Sequence, residues 1–261
     1  RRHWGVRLCT HRHRGVEGQE AVRGRAVAAG ARTPRAALTT RAPTLSPMRI
    51  GIFGGSFDPP HVGHLLIAQD AREALQLDLL LVVPAAMQPL KQDGQTPAAD
   101  RLAMVASCFA GLDGITVDPI EIDRGGLSFT VETVETFRGR WPTAEFHLLI
   151  GDDVVATLPR WRQPERLLSM VQLVVLHRLT ADQRDEPALS DIKTGSSVVQ
   201  AVHDAPRLET RRVDVSSTEI RARVRSGRSI RGFVPATVEA YIASAGLYIR
   251  ATMADDVAER A

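Results

Sequence analysis

Cysteine is scarce in this sequence of 261 residues, which contains Cys9 and Cys108 and no other cysteine. Two cysteines are too few for a disulfide framework or a cysteine-based zinc site, and they are typical of a protein from a reducing compartment. Long apolar runs are missing as well. No segment approaches the ~20 apolar residues that a membrane helix needs, and none resembles a secretory signal. We therefore expect a cytoplasmic protein with no membrane partner.

Several common catalytic motifs are also absent. The sequence has neither the P-loop pattern GxxxxGK[ST] nor the GxGxxG fingerprint, which counts against kinases, P-loop ATPases and dehydrogenases. It shows no serine, histidine and acid in the order of a hydrolase triad. Whatever chemistry the chain performs must therefore come from another arrangement of residues.

The positive charge of the chain is concentrated near its N-terminus. Residues 1–47 contain ten Arg, no Lys and two Glu, a net charge of +8, so the other 214 residues carry −5 of the total of +3. The basic character of the whole chain therefore gives no reason to expect that the folded part binds nucleic acid.

We expect residues 1–47 to be disordered, because their few large apolar side chains cannot offset the entropy cost of ordering. The chain starts with Arg1, and Met48 stands directly before the first predicted strand, so upstream translation from a non-native start is our preferred interpretation. An organelle transit peptide and a basic nucleic-acid-binding arm are the alternatives, the second ranked lowest. We expect one domain over 48–250 and a flexible tail over 251–261.

Predicted strands alternate with predicted helices from Met48 onward. Apolar runs typical of buried strands cover 50–53, 79–83, 115–117, 145–150, 172–176 and 207–213. Helical spacing covers 62–75, 98–110, 130–137, 217–224 and 235–245. This alternation predicts an α/β fold with a doubly wound parallel sheet, in which ligands bind at the carboxyl ends of the strands.

The most informative stretch begins at Met48. A short apolar run predicts the first strand, and the adjacent glycines Gly54 and Gly55 then predict a turn that reaches positive φ and approaches a ligand closely. Asp58 as the N-cap, with a proline after it, predicts the start of the following helix.

Two histidines lie at that helix start. His61 and His64 are three residues apart, so we expect them to share one face of the helix. Backbone amides at a helix N-terminus and two imidazoles together form a site for anionic oxygen, and a phosphate fits it best.

Residues 54–65 read GGSFDPPHVGHL, and this string resembles the signature of the HxGH nucleotidyltransferases. It is most similar to the form GG[ST]FDPxHxGH of the nicotinate-nucleotide adenylyltransferases. The resemblance extends from Met48 to about Arg250. It implies a Rossmann-like nucleotidyltransferase fold and the transfer of adenylyl from ATP to nicotinate mononucleotide, which gives deamido-NAD and pyrophosphate. It also implies Mg²⁺ carried by the ATP phosphates, with no metal ligand from the protein.

The resemblance implies catalytic roles for four residues. His61 and His64 would neutralise the charge around the α-phosphate. Lys91 ends a match to the family's PxxxxPxK loop and Arg221 ends a match to its [IV]SSTx[IL]R motif, so both would stabilise the polyphosphate. Without the resemblance, Lys91 is typical of an exposed lysine and Arg221 of a solvated arginine behind a serine cap.

The substrate-binding residues that the resemblance implies lie in these motifs or directly after predicted strands. Those expected to bind ATP are Gly54, Gly55, Ser56, Phe57, Gly151, Asp153, Ser216, Ser217 and Thr218. Trp161 would stack on the pyridine ring of nicotinate mononucleotide, and Thr130 matches an S[YF]T element that faces the pyridine nucleotide in relatives. Arg178 matches an arginine after the fifth strand, although this chain continues with Leu-Thr where relatives have Pro-Gly.

The nearest alternatives use the same scaffold, with nicotinamide mononucleotide or phosphopantetheine as the acceptor. A catalytically silent nucleotide-binding protein is the alternative from another class. The sequence leaves open whether the protein forms a homo-oligomer. It also leaves open whether residues 181–205, which are polar and weakly patterned, close over the ligand.

Overall fold

A six-stranded parallel sheet organises the part of the chain that the computed structural model describes, residues 46–89, 96–178, 197–211 and 213–249. The strands are β1 (Arg49–Gly55), β2 (Leu79–Pro84), β3 (Ile115–Val117), β4 (Glu145–Gly151), β5 (Gln172–Arg178) and β6 (Arg207–Thr210). Their order is β3-β2-β1-β4-β5-β6, with every neighbouring pair parallel. The order reverses between β1 and β4, which is the switch point at which doubly wound sheets bind ligands.

Helices cover both faces of the sheet. They are α1 (Val62–Ala74), α2 (Ala98–Phe109), α3 (Ile120–Arg124), α4 (Thr130–Arg140), α5 (Asp152–Val155), α6 (Pro164–Leu168), α7 (Ser197–Asp204), α8 (Ser217–Arg225) and α9 (Ala236–Ser244). A 3₁₀ turn at Leu158–Arg160 lies between α5 and α6. The apolar side chains of α1, α2, α8 and α9 form one core with the sheet, and those of α3 to α7 form the other.

Strand β2 shows how the sequence builds these two cores. Its aliphatic residues alternate, with Leu80 and Val82 in the first core and Leu81 and Val83 in the second. All four are at most 2% exposed. A strand that is buried on both faces needs such a continuous aliphatic run. Each of these side chains stabilises the fold by about 1.5–3 kcal/mol through burial.

The predicted fold class is confirmed, and several local predictions are corrected. Helix α1 begins at Val62 with His61 as its N-cap, so the prediction that Asp58 caps it is wrong. Strand β6 ends at Thr210, three residues earlier than predicted. The short helices α3, α5 and α6 were not predicted, because four or five residues contain too little periodicity to recognise.

Some sequence predictions concern residues outside the described ones. These are nearly all of the predicted leader, the predicted tail, most of the 181–205 segment and Lys91. Of Arg178, only the backbone in β5 is described. Among the residues that the structure describes, no helix has the length and apolar character to cross a membrane.

Candidate active site

The loop after β1, residues 56–61, joins the switch-point strand to α1. Gly54 and Gly55 are the last two residues of β1 and do not adopt positive φ, so the prediction of a turn at these glycines is wrong. The left-handed residue of the loop is Phe57, with φ of 49°. Phe57 is buried, and a Cβ on Gly55 would lie 3.1 Å from its ring. Gly55 therefore makes room for a side chain of its own loop, whereas Gly54 is exposed at the strand end.

The two histidines lie against each other at the start of α1. Their ring centroids are 3.8 Å apart at an interplanar angle of 32°. The backbone N–H of His61 donates to Nδ1 of His64 at 3.2 Å. Because Nδ1 accepts this bond, a neutral His64 carries its proton on Nε2. The rings of Phe57 and His64 form an edge-to-face pair, with centroids 5.0 Å apart.

Gly63 has no side chain and so leaves room for the ring of His61, the N-cap of α1. A Cβ at this position would lie 3.0 Å from both Cε1 and Nδ1 of His61. His61 is only 3% exposed, so the ring has little room to move away. The glycine between the two histidines is thus a steric requirement of the observed His61 position.

Helix α8 docks on the β1 loop through its first turn. Ser216 caps the helix, because its Oγ accepts from the backbone N–H of Glu219 at 3.1 Å. Ser217 Oγ donates to the carbonyl of Pro59 at 2.8 Å. The Arg221 guanidinium donates from Nη1 to the carbonyl of Asp58 at 2.6 Å. The structure therefore brings the SSTEIR motif and the histidine motif together, although some 150 residues separate them in the sequence.

Trp161 and Thr130, two of the three residues expected to bind the acceptor, lie after β4 and at the start of α4. Trp161 is half-buried, and its Nε1 donates to Oγ1 of Thr157 at 3.0 Å. Arg162 joins this segment to α4: its guanidinium lies 4.5 Å from the Phe129 ring centroid and pairs with Glu132 at 3.1 Å. Thr130 is the first residue of α4, directly after that ring.

Gly151 and Asp153 lie at the end of β4, the strand next to β1. A Cβ on Gly151 would lie 2.5 Å from Oδ1 of Asp153, so the glycine allows this carboxylate to fold back toward the strand end. Asp153 is exposed and available to a ligand. Within the described residues, no group of three His, Cys, Asp or Glu side chains is placed to hold a metal ion.

Sequence reasoning did not predict that three charged side chains in and near these loops are buried. Arg101, Asp58 and Glu121 are at most 7% exposed. Burial raises the pKa of Glu121, and hydrogen bonds from Thr133 and Ser128 oppose this rise. The one available signal was a charged residue inside an otherwise apolar helical pattern, which is how Arg101 appears in α2.

Comparison with known proteins identifies the family. Residues 52–223 match the model of the cytidylyltransferase-like family. A curated protein of Gemmatimonas aurantiaca is 65% identical over 201 residues, which cover 77% of this chain and 92% of that protein. Its name is probable nicotinate-nucleotide adenylyltransferase. This chain belongs to the cytidylyltransferase-like family.

A second curated relative and a solved structure are also similar to this chain. A relative from Roseiflexus is 41% identical over 78% of this chain and 100% of its own length, and it has the same name. The nicotinic acid mononucleotide adenylyltransferase of Plasmodium falciparum, solved in complex with NaAD, has a TM-score of 0.62 at 18% identity. That likeness covers 77% of this chain and 97% of the Plasmodium chain and concerns the fold alone. The resemblance stated from the motifs is thus confirmed.

Proposed function

We propose that this protein transfers the adenylyl group of ATP to nicotinate mononucleotide, forming deamido-NAD and pyrophosphate, a step of NAD biosynthesis. The observation that carries the proposal is the stacked pair of His61 and His64 at the helix start beside the switch point. The names of the relatives, at up to 65% identity among those compared, support the choice of acceptor.

The reaction needs positioning and charge more than a base. The attacking group is a phosphate oxygen of the acceptor, which is already anionic near neutral pH, so no general base has to remove a proton. As it attacks the α-phosphorus of ATP, the bond to the bridging oxygen breaks and pyrophosphate leaves with the electron pair. The protein must hold two anions in line and stabilise the charge that gathers between them.

We assign this stabilisation to His61, His64, Arg221 and Lys91. The Nε2–H of His64 is a donor for the α-phosphate, because its Nδ1 is already bonded to the backbone of His61. Arg221 retains further guanidinium N–H groups beyond those that bond Asp58 and Thr218, and these can meet the β- and γ-phosphates. The place of Lys91 remains a prediction from the motif.

The ATP side of the site follows the strand ends and the cap of α8. We assign Gly54, Gly55, Ser56, Gly151, Asp153, Ser216 and Thr218 to it, and Phe57 and Ser217 through their backbone. Phe57 is assigned through its backbone because its ring is buried. The hydroxyl proton of Ser217 already bonds the Pro59 carbonyl, so its side chain has no proton left for a phosphate oxygen.

On the acceptor side we assign Trp161, Thr130 and Arg178. The indole edge of Trp161 is held by Thr157, which would present the ring face to a flat heterocycle. Mg²⁺ enters as part of the ATP substrate, bound by its phosphates. A homo-oligomeric state and a cytoplasmic location remain predictions from the sequence.

The test is turnover by the full chain with Mg·ATP and three separate acceptors: nicotinate mononucleotide, nicotinamide mononucleotide and phosphopantetheine. Pyrophosphate release and dinucleotide formation are measured. We expect strong preference for the acid mononucleotide. His64→Ala should lower kcat by about 100-fold or more, the cost of removing one donor to developing charge.

His203→Ala is the matched control, because that side chain is 75% exposed on α7, and it should leave kcat unchanged. Equal use of the acid and the amide would keep the chemistry and contradict the acceptor choice. If no acceptor turns over while ATP binds, the protein is a silent nucleotide-binding protein and the proposal is wrong.

A further inference from the structure

Arg101 on α2 is 1% exposed and donates four hydrogen bonds to backbone carbonyl oxygens. Nε donates to Thr96 at 2.9 Å, and Nη1 donates to Ser56 at 3.0 Å. Nη1 also reaches Ala85, and Nη2 reaches Ala86, each at 2.6 Å. A single buried guanidinium therefore contacts three separate stretches of backbone.

Two of these stretches border the proposed phosphate site. Ser56 belongs to the β1 loop (56–61), which ends at the first histidine, and Ala85 and Ala86 begin the β2 loop (85–89). The two loops follow neighbouring parallel strands, and the N–H of Ala85 also donates to the carbonyl of Gly55 at 2.9 Å. Thr96, the third contact, precedes α2. Arg101 therefore connects the β1 loop to the β2 loop from the protein interior.

Asp58 extends this network to the rest of the site. Its Oδ1 accepts from the hydroxyl of Tyr248 at 2.6 Å, and its Oδ2 accepts from the backbone N–H of Thr96 at 3.3 Å. Its carbonyl accepts from Arg221, as described above. Burial lowers the pKa of Arg101, and the negative charge of Asp58 opposes that change. The guanidinium and the carboxylate thus both bond the backbone of Thr96, and Asp58 also ties the β1 loop to Tyr248.

A packing role alone would not require this residue type. Burying a guanidinium is costly, and an apolar side chain of similar volume fills a core position at lower cost. What only arginine supplies is a rigid fork with five donors, which can satisfy several carbonyl oxygens at fixed relative positions. Its positive charge also lies directly behind a site that must accept triphosphate, in surroundings where screening by solvent is weak.

We infer that Arg101 is a positioning residue for adenylyl transfer: its buried guanidinium holds the β1 loop and the β2 loop in the one arrangement that places His61 and His64 against the α-phosphate. The inference rests on the proposed function and adds a residue outside all the motifs that suggested it. Arg101 acts through backbone and touches no substrate.

The experiment compares Arg101→Lys, Arg101→Met and Arg101→Ala in the full chain, using steady-state kinetics, urea unfolding and amide hydrogen exchange. Lysine keeps the charge but cannot reach four carbonyls with one nitrogen, and methionine keeps the packing alone. We expect kcat to fall about 100-fold in folded Arg101→Lys, the effect of a displacement of about 1 Å at a reacting group. KM for nicotinate mononucleotide should change less than kcat, because the β2 loop reaches the acceptor group only through the hydrogen bonds that Ala86 and Met87 form with Ser128. Exchange in residues 56–61 and 85–89 should rise.

Arg138 provides the matched control. It is an arginine on α4 that also donates to a backbone carbonyl, that of Met170 at 3.2 Å, but it is exposed, and α4 packs in the other core from α1 and α2. Arg138→Lys and Arg138→Met should retain the kcat of the unchanged protein and its exchange pattern.

Chemical rescue distinguishes positioning from general stability. Guanidinium at about 20 mM, far below the molar concentrations that unfold domains, should raise kcat of Arg101→Ala at least tenfold, and methylammonium should not. Unchanged kcat in the folded Lys and Met variants would overturn the inference. So would activity that tracks only the folded fraction and falls further with guanidinium.

If the unchanged protein turns over none of the acceptors, the proposed function fails by itself, and hydrogen exchange still decides whether Arg101 orders the two loops. Faster exchange confined to 56–61 and 85–89 would support that ordering. Unchanged exchange there would overturn it.

Discussion

Replacing Gly63 with alanine tests the link between sequence motif and histidine position. The added Cβ would lie 3.0 Å from two atoms of the His61 ring, where ordinary contacts lie at 3.4–4 Å. The ring is 3% exposed and lies 3.8 Å from the His64 ring, so it cannot move without disturbing its partner. We therefore expect a displacement of several tenths of an ångström in the histidine pair.

The expected effects on stability and activity differ in size. Alanine in place of glycine within a helix stabilises by about 1 kcal/mol, and overpacking of a buried site destabilises by about 1–3 kcal/mol. The free energy of unfolding of Gly63→Ala should therefore fall by about 0–2 kcal/mol, which leaves the protein folded. Activity depends on placement more steeply, and kcat should fall about 10- to 100-fold.

Steady-state kinetics and urea unfolding measure both quantities on the same preparations. Gly139→Ala is the control, because nothing lies within 4 Å of a Cβ at that position of α4. It should gain about 1 kcal/mol of stability and keep its kcat. If Gly63→Ala keeps the original kcat while His61→Ala loses it, the ring adapts to the methyl group and the steric reasoning fails. If neither variant changes kcat, His61 has no part in catalysis.

The remaining predictions concern pH and the acceptor. Burial raises the pKa of Glu121, so the folded protein binds that proton more tightly than the unfolded chain, and stability should fall as the pH rises above 4.5. The urea midpoint of Glu121→Gln should depend less on pH in this range. An equal pH dependence in both proteins would contradict the assignment. Burial lowers the pKa of His147, so the unfolded chain binds the proton more tightly, and stability should fall as the pH drops below 6.5. His147→Leu should remove that loss in the same titration, and a persisting loss would point to other groups. Trp161→Ala should raise KM for nicotinate mononucleotide about tenfold, because stacking is lost, and leave KM for ATP unchanged. A rise in KM for ATP alone would mean that the indole contacts ATP and not the acceptor.

The fold was predictable because the inner strands β2, β4 and β5 contain continuous apolar runs that are typical of buried parallel strands. The run 79–83 is buried on both faces, and only a central parallel strand needs such a pattern. The helix start was less predictable. Asp58 has the right side chain for an N-cap, but its carboxylate bonds Tyr248, which lies 190 residues away, and local preference gives way to that tertiary contact.

For the site, the motifs indicated which segments meet: the backbone N–H of His61 donates to His64, and Arg221 donates to the carbonyl of Asp58 in the same loop. The catalytic roles of these residues stay predictions. The role of Arg101 was not predictable, because its partners are backbone carbonyls. Every residue has a backbone carbonyl, so the sequence does not indicate which ones Arg101 bonds. The left-handed φ of Phe57 was not predicted for a related reason. It accompanies the burial of the Phe57 ring, whereas local sequence preference favours glycine for this conformation.

Electrostatics gives a reason for burying a cation behind the loops. Outside residues 1–47 the chain carries a net charge of −5, while both proposed substrates are anions. Screening at physiological ionic strength limits exposed charges to a range of about 8 Å, so the site must create its own positive potential locally. Arg221 can contribute positive potential from the solvent side, where salt weakens its electrostatic effect. Arg101 acts from within the protein, where screening is weaker, and its four carbonyl partners hold it in place. A charge that is fixed before the substrates arrive needs no reorganisation during the reaction, which is the condition under which electrostatic stabilisation is most effective.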